Sequence, residues 1–337
     1  MEPKNISSAT AEALRRSAYD PKKLALLHTG ATMLFSLLVT ALNFLLSQNM
    51  DAATGLAQMG NRAILGTIQS VLSLAGTLLL PFWQVGFLYA ILKNLRTADG
   101  QPADLAEGFR RWGKIARLYI LIFGITTLLI FLCAQLASVL ISFTPFWATM
   151  MADAQAILES AATSGQTTLT AEEMSALLPA MIPTIVIMLL LLAAIGIPLF
   201  YRFRLAFFAI MDDAPGARAA LKCSGQLTRG YKRKLLRLDL HFWWYYLALA
   251  LFSAIAYGDV ILPYMGVNLP VSADTLFFIT YVIYIVLQTL FSWQFAAHVQ
   301  SCYALFYDKR KEDFPKEEAA RLQDLPQLPD AENNRPF

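Results

Sequence analysis

Residues 185–200, IVIMLLLLAAIGIPLF, decide the fold of this chain. The run is apolar from end to end and does not alternate with polar side chains, as the strand of a membrane β-barrel would. In a bilayer every backbone group must be hydrogen-bonded internally, so an unbroken apolar run of this kind is typical of a helix. Roughly 20 apolar helical residues cross the hydrocarbon core. The stretch therefore predicts a transmembrane helix.

The composition extends this interpretation to the whole chain. Of 337 residues, 57% are hydrophobic and 15% charged, whereas soluble domains are about 25% charged. We predict an all-α, polytopic membrane helix bundle with six transmembrane helices arranged as three hairpins. The spans are Leu24–Ser47, Ile64–Leu92, Leu118–Phe143, Leu177–Phe200, Phe242–Leu262 and Leu276–Tyr303.

The basic residues predict the orientation of these spans. With six spans, 26 of the 27 Lys and Arg residues fall on one side, and only Arg62 falls on the other. Short loops rich in Lys and Arg stay in the cytoplasm. We therefore expect a protein of the bacterial cell membrane with both termini cytoplasmic.

Short basic stretches precede each odd-numbered span: ALRRS at 13–17, GFRRW at 108–112 and ALKCS at 220–224. They lie in amphipathic runs, which predict helices at the membrane interface. We expect residues 1–23 to form a cytoplasmic segment with such a helix, 24–307 the transmembrane domain and 308–337 a flexible tail. Two even-numbered spans also share a Trp-Gln pair, at Trp83 and Trp293. Whether the threefold pattern reflects ancestral repeats stays open.

One basic stretch, LTRGYKRKLLRLDLHFWWYY at 227–246, is the strongest candidate for a binding surface. Its basic residues favour anionic lipid headgroups, and its aromatic block resembles the ring belt at a membrane interface. The short connectors make nucleic acid a weaker interpretation. The predicted lipid-facing residues are Arg229, Lys232, Arg233, Lys234, Arg237, Trp243 and Trp244.

A second candidate site is a cavity between hairpins, lined by Gln84, Gln294 and His298. Polar residues within spans most often join helices by hydrogen bonds, so this lining is the less common alternative. We expect His28, His241 and His298 to lie at the interfacial ends of spans. The three cysteines have no zinc or disulfide spacing, and catalytic motifs do not occur. We predict no enzyme activity, cofactor or metal.

Residues 197–307 also resemble a bacterial six-span family, domain of unknown function 975. The resemblance rests on Pro198, Tyr201, an Asp-x-Pro turn from Asp213, Ala220–Ser224, Gly230 with Lys232, the entry into span five at 238–242, Pro263–Tyr264 and Phe306–Tyr307. Leu199 and His241 depart from the pattern. The resemblance implies the six-span architecture and no particular activity.

Two functions fit these predictions. The first is a non-enzymatic component that organises the membrane or binds a membrane protein partner through its basic face. The second is a small-molecule or lipid transporter, or a transporter subunit. Transporters often place charges or broken helices at mid-membrane, and the predicted spans have no charge there. The first function is therefore the leading hypothesis.

Overall fold

The protein is described from a computed structural model. The structure describes residues 2–51, 56–144, 147–148, 151–152, 155, 182–212, 214–264, 267 and 270–323, and these form helices and turns without any strand. Most of the long loop predicted at 144–176 lies outside the described residues, as do Leu177–Met181 of the fourth predicted span and the last 14 residues of the tail.

Twelve α-helices are used below. They are α1 Pro3–Arg15, α2 Pro21–Asp51, α3 Leu56–Thr97, α4 Glu107–Arg110, α5 Trp112–Ser142, α6 Ile197–Phe203, α7 Ala206–Met211, α8 Ala217–Thr228, α9 Lys232–His241, α10 Trp243–Ala256, α11 Gly258–Tyr264 and α12 Ala273–Gln323. A 3₁₀ turn, Pro102–Ala106, precedes α4, and a π-helical turn, Leu192–Gly196, precedes α6. Pro198 is the second residue after this π turn, and its ring nitrogen has no hydrogen to donate to a helical hydrogen bond.

Five helical segments in the described part of the chain are long and apolar enough to span a membrane. They are Pro21–Leu42, Gly66–Thr97, Trp112–Ser142, Ile182–Met211 and Asp274–Pro315. A sixth is obtained if α9 and α10 count as one span, although they meet at an angle of 60°. The predicted polytopic helical protein is therefore present, with five or six spans.

The fifth predicted span differs from the structure. Instead of one helix over 242–262, the chain forms α10 and α11, separated by Tyr257. Fourteen residues of α10 extend only about 21 Å at 1.5 Å per residue, less than the bilayer core. Gly258 starts α11 against α12, where a Cβ would come within 2.6 Å of Thr280. The lack of a side chain at Gly258 therefore permits close packing of α11 on α12.

The chain divides into two compact units, one of Met1–Ala116 with Leu205–Phe337 and one of Arg117–Arg204. In the larger unit α12 is the central helix, and it packs against α1, α2, α3, α8, α10 and α11. It continues as helix to Gln323, so residues 308–323 differ from the predicted flexible tail. Arg310 on this extension is buried, because neighbouring helices cover it.

The short basic helices are packed in a related way. α4 and its 3₁₀ turn pack on α3, α8 packs on α7, and α1 packs on α12. The three supporting helices carry similar tetrapeptides near these contacts: YAIL at 89–92, FAIM at 208–211 and YALF at 303–306. The alanines in all three are almost fully buried. Small residues allow the short helices to approach closely.

Two glycines hold the 3₁₀ turn and α4 directly on the backbone of α3. A Cβ at Gly86 would overlap the carbonyl oxygen of Leu105, and one at Gly108 would overlap that of Phe82. Lys93 then donates to both carboxylate oxygens of Asp104, each at 3.0 Å. This contact holds the 3₁₀ turn, which lies between α3 and α5, against the C-terminal end of α3.

Candidate functional site

The predicted lipid-facing residues lie directly after α8, along α9 and at the start of α10. Gly230 turns the chain between α8 and α9 with φ +77°, a value that glycine adopts without strain. Leu235 and Leu238 of α9 are buried, which places basic residues on the opposite surface. Of the seven predicted residues, those that are exposed are Arg229, Lys232, Arg233, Arg237, Trp243 and Trp244.

The seventh residue, Lys234, is partly covered. Its ammonium group lies 4.5 Å from the ring centroid of Tyr231, within the range of a cation–π contact. Arg310 contacts the same ring, and its guanidinium carbon lies 3.6 Å from the Tyr231 centroid. Arg310 Nε also donates to the carbonyl of Leu227 at 3.2 Å. Tyr231 thus ties α9 to α12.

Other charged residues form an ion-pair cluster, defined here as Arg96, Asp212, Asp308, Lys311 and Tyr307. The Arg96 guanidinium donates to both oxygens of Asp212, at 2.9 and 3.0 Å. It also donates to Asp308, with its shortest contact at 2.5 Å. Lys311 Nζ and Tyr307 Oη donate to Asp212 at 2.7 and 3.0 Å. Arg96 therefore joins the end of α3 to the residue after α7 and to α12.

Asp212 is the most enclosed charge of this cluster, with its side chain 9% exposed. Burial raises the pKa of the carboxyl group, but the hydrogen bonds and positive charges of Arg96 and Lys311 outweigh it and hold the pKa well below the ordinary value. Asp212 is therefore ionised at neutral pH. The cluster stabilises the meeting point of three helices.

A polar cavity of about 180 Å³ lies among α2, α3, α10 and α12. Its polar lining comprises His28, Thr29, Thr32, Gln84, Gln288 and Ser292, and Tyr245 and Gln300 also border it. His28, Gln84 and Gln288 all belong to segments long and apolar enough to span a membrane. The lining contains no acidic or basic residue apart from the histidine. The cavity is thus neutral and hydrogen-bonding.

His28 is held firmly in this cavity. Its ring stacks on Phe87 with 4.5 Å between centroids and 5° between planes. Its Nε2 lies 2.8 Å from Gln84 Oε1, and Trp83 Nε1 donates to its carbonyl at 3.1 Å. His28 lies near the start of the segment Pro21–Leu42 and is buried, with 8% of its surface exposed. No spacing in the sequence signals the contact, because its partners lie more than 50 residues away.

A second cavity, the α1 groove, has a volume of about 440 Å³ and is lined by residues of α1, α2 and α12. Its lining includes Arg15 and Lys22, apolar Leu14 and Phe295, and the predicted cavity residues Gln294 and His298. Lys22 Nζ donates to Gln294 Oε1 at 3.0 Å, and Ser7 Oγ lies 3.0 Å from His298 Nε2. Gln84 therefore lines one cavity, whereas Gln294 and His298 line another.

Asp239 also has a partner that the sequence does not indicate. The Tyr303 hydroxyl from α12 donates to Asp239, 64 residues away in the chain. The hydroxyls of Tyr246 and Tyr303 are 2.8 Å apart. Cys133, Cys223 and Cys302 are free thiols. Within the described ranges, no group of three or more His, Cys, Asp or Glu side chains is arranged to hold a metal ion.

These features define the class of protein: an all-helical chain with several helices able to span a membrane and a basic layer of short helices. A family model described as protein of unknown function DUF975 matches residues 14–309. The chain belongs to this family. The match contains four of the five apolar segments and most of the fifth, Asp274–Pro315, so it covers much more than the stretch at 197–307. Neither the curated proteins nor the solved structures contain a match.

Proposed function

We propose that this protein is a non-enzymatic, multi-pass component of the cell membrane whose basic face binds anionic lipid. Both termini lie in the cytoplasm in this proposal, and six spans form three hairpins, with α10 and α11 serving as the fifth span. The basic face also provides a surface for a membrane protein partner. We propose membrane lipid rather than nucleic acid as the anionic ligand, because the basic helices connect directly to apolar spans.

The observation that carries the proposal is the division of the basic residues into two groups. Arg96 and Lys311 are bound to carboxylates in the ion-pair cluster, and Lys93 is bound to Asp104. Five basic side chains of α8 and α9 are instead exposed: Arg218, Lys222, Lys232, Arg233 and Arg237. Trp243 and Trp244, which begin the next helix, α10, are exposed as well. An exposed basic surface next to interfacial aromatic rings matches an anionic bilayer surface.

The α1 groove supports the same ligand. Arg15 and Lys22 outnumber the single acidic residue of its lining, Asp20, and Leu14 and Phe295 provide apolar surface. A phospholipid carries an anionic phosphate next to an apolar chain, so one molecule could satisfy both parts. We therefore propose two contacts for anionic lipid, a broad one on α8 and α9 and a localised one in the groove.

Reconstitution into vesicles tests the proposal. The full-length protein is placed in mixed phosphatidylcholine and phosphatidylglycerol vesicles in which either one or the other lipid is brominated, and quenching of tryptophan fluorescence is measured. We expect stronger quenching by the anionic lipid, because each well-placed basic residue contributes about 1 kcal/mol. Added salt should reduce the difference.

The decisive variant replaces Lys232, Arg233 and Arg237 with Gln. Its matched control exchanges Lys and Arg at the same positions and keeps every charge. We expect a smaller lipid preference in the neutral variant, because only α8 and the α1 groove keep their charges, and an unchanged preference in the control. Equal quenching by both lipids in the wild-type protein, or an undiminished preference in the neutral variant, would show the proposal to be wrong.

Transport of a small molecule or lipid is the alternative function. It requires a path between the two membrane faces. We rank it second because the predicted cavity residues belong to two separate cavities. Gln84 lines the polar cavity, Gln294 and His298 line the α1 groove, and the two cavities share no lining residue. Flux of a labelled solute into sealed vesicles that contain the protein would reverse this ranking.

A further inference from the structure

The α1 groove brings side chains of opposite charge into one lining. Two of its ten lining residues are basic, Arg15 and Lys22, and one is acidic, Asp20. Basic side chains donate to phosphate oxygens, whereas an ionised carboxylate only accepts hydrogen bonds. A ligand that meets all three groups therefore carries an anionic group and, apart from it, a hydrogen-bond donor.

Asp20 keeps an acceptor for such a donor. It lies directly before α2, and its Oδ1 accepts from the backbone N–H of Lys22 at 2.9 Å, so the carboxylate is held as a helix cap. Two carboxylate oxygens offer about four acceptor positions, and this hydrogen bond uses one of them. Because Asp20 is exposed, the other positions are accessible to a ligand in the groove.

The groups available to a phosphate lie at the ends of two helices and on α12. Arg15 ends α1, and Lys22 is the second residue of α2. Lys22 Nζ donates to Gln294 Oε1 at 3.0 Å, but an ammonium group has three donors and can bind a phosphate oxygen as well. The Gln294 amide accepts from Lys22 through its oxygen, which leaves its NH₂ group as a further donor. All three side chains are exposed, so an anion can reach them.

The rest of the lining suits the apolar part of a lipid. Leu14 follows Ala11 by three residues and Arg15 follows it by four, so all three lie on one face of α1. Phe295 provides apolar surface from α12, and Trp244 packs edge-on against its ring with 4.9 Å between centroids. A soluble phosphate would leave this surface uncovered, whereas a phospholipid carries acyl chains beside its phosphate.

The charge and volume of the groove restrict the headgroup. The two basic side chains exceed the single carboxylate by one charge, which a headgroup with one negative charge neutralises and a zwitterionic headgroup does not. The required donor is therefore an uncharged hydroxyl rather than an ammonium group. The groove of about 440 Å³ has room for roughly 15 waters of about 30 Å³ each, more than the roughly ten non-hydrogen atoms of a phosphoglycerol group require.

We infer that the α1 groove is a selective site for phosphatidylglycerol, in which Arg15 and Lys22 bind the phosphate and Asp20 accepts from a hydroxyl of the glycerol headgroup. The inference rests on the proposed function, since it assigns a headgroup to the lipid of the localised contact. It also goes further, because charge alone does not distinguish one anionic phospholipid from another.

Phosphatidylethanol is the matched probe, because it carries the same phosphodiester charge and its headgroup has no hydroxyl. The full-length protein is placed in phosphatidylcholine vesicles with increasing amounts of brominated phosphatidylglycerol or brominated phosphatidylethanol, and quenching of tryptophan fluorescence is measured. Trp244 reports on the groove through its contact with Phe295. We expect phosphatidylglycerol to reach half-maximal quenching at a concentration about fivefold lower, the effect of one hydrogen bond to an exposed carboxylate.

Asp20→Ser keeps a capping oxygen for α2 and removes the carboxylate, so the two lipids should quench equally. Asp99→Ser, on an exposed residue outside the groove, removes the same charge and is the control. Arg15→Gln should weaken both lipids, because their phosphates are alike, and Arg16→Gln, on the next residue and outside the lining, is its control. If Asp20→Ser fails to fold by near-ultraviolet circular dichroism, Ala11→Phe fills the groove, and we expect it to remove the difference as well.

Four results would overturn the inference. The first is equal quenching of the wild-type protein by phosphatidylglycerol and phosphatidylethanol. If both then quench more than brominated phosphatidylcholine, the proposed function stands, and if neither does, the proposed function fails too. The second is a difference that survives in both Asp20→Ser and Ala11→Phe. The third is equally strong quenching by brominated phosphatidylethanolamine, which would assign the donor to an ammonium group. The fourth is displacement of the lipid by soluble glycerophosphoglycerol, which would show that the acyl chains are not recognised.

Discussion

The ion-pair cluster and the polar cavity are both polar regions of the larger unit, but they satisfy their polar groups differently. In the cluster Asp212 accepts from Arg96, Lys311 and Tyr307, so charge is matched by charge. In the cavity the lining is neutral, and His28 Nδ1 and Gln288 Oε1 lack a described protein partner. Complete pairing of the charges fits a structural role for the cluster, and the cavity differs from it in leaving two buried atoms without a described partner.

The largest expected effect tests the structural role of the cluster. Asp212→Asn keeps the shape of the side chain and removes its charge, which leaves Arg96 and Lys311 with less compensation. We expect the free energy of unfolding to fall by about 3 kcal/mol, at the lower end for a broken buried pair because Arg96 is one-third exposed. Denaturant titration followed by tryptophan fluorescence measures it. Asp99→Asn, on an exposed residue, is the control, and equal losses in both variants would contradict a special role for Asp212.

A slightly smaller effect is expected at the close contact between α3 and the 3₁₀ turn that precedes α4. Gly86→Ala places a Cβ against the Leu105 carbonyl, a backbone atom that cannot rotate away. Strain of this kind costs about 2 kcal/mol. Gly30→Ala is the control on α2, where a Cβ meets nothing within 4 Å, and alanine should leave stability unchanged or increase it. Thermal unfolding of both variants distinguishes a packing requirement from a general intolerance of alanine in these helices.

The hydrogen bond at the polar cavity should contribute less than either contact. Gln84→Leu removes the acceptor of His28 Nε2–H and leaves a buried donor unsatisfied, which costs about 1 kcal/mol. Gln294→Leu removes an exposed contact with Lys22, so its change in the free energy of unfolding should stay within about 0.5 kcal/mol. The same denaturant titration compares them. A larger loss from Gln294→Leu would reverse the contrast between buried and exposed polar residues.

The comparison also explains what the sequence can predict. Apolar runs such as 185–200 identify membrane helices because the bilayer imposes a minimum length on each span. Basic residues in the connectors likewise predict the short amphipathic helices, of which α1, α4, α8 and α9 are examples. These features depend on local composition, which one stretch of sequence contains in full.

The contacts of the two polar regions depend on residues far apart in the chain. Arg96 meets Asp212 and Asp308 across separations of 116 and 212 residues. Nothing in a single span distinguishes these partners from other charged residues nearby. Tertiary packing determines these contacts. The break at Tyr257, by contrast, has a local signal, because Gly258 and Asp259 interrupt the apolar run.

The smallest expected effect is the change in the stability of the wild-type protein between neutral and mildly acidic pH that arises from protonation of Asp212. The pKa of Asp212 in the folded protein lies below its ordinary value of about 4, because hydrogen bonds and charges from Arg96 and Lys311 outweigh burial. A carboxyl group of this kind stabilises the folded state fully above pH 4, and this stabilisation is lost as the pH falls through the folded pKa. We therefore expect wild-type stability to change little from pH 7 to pH 5 through this group and to decrease below pH 4. Subtracting the same titration of Asp212→Asn isolates the contribution, and an identical acid dependence in both proteins would show that the cluster does not depend on the charge of Asp212.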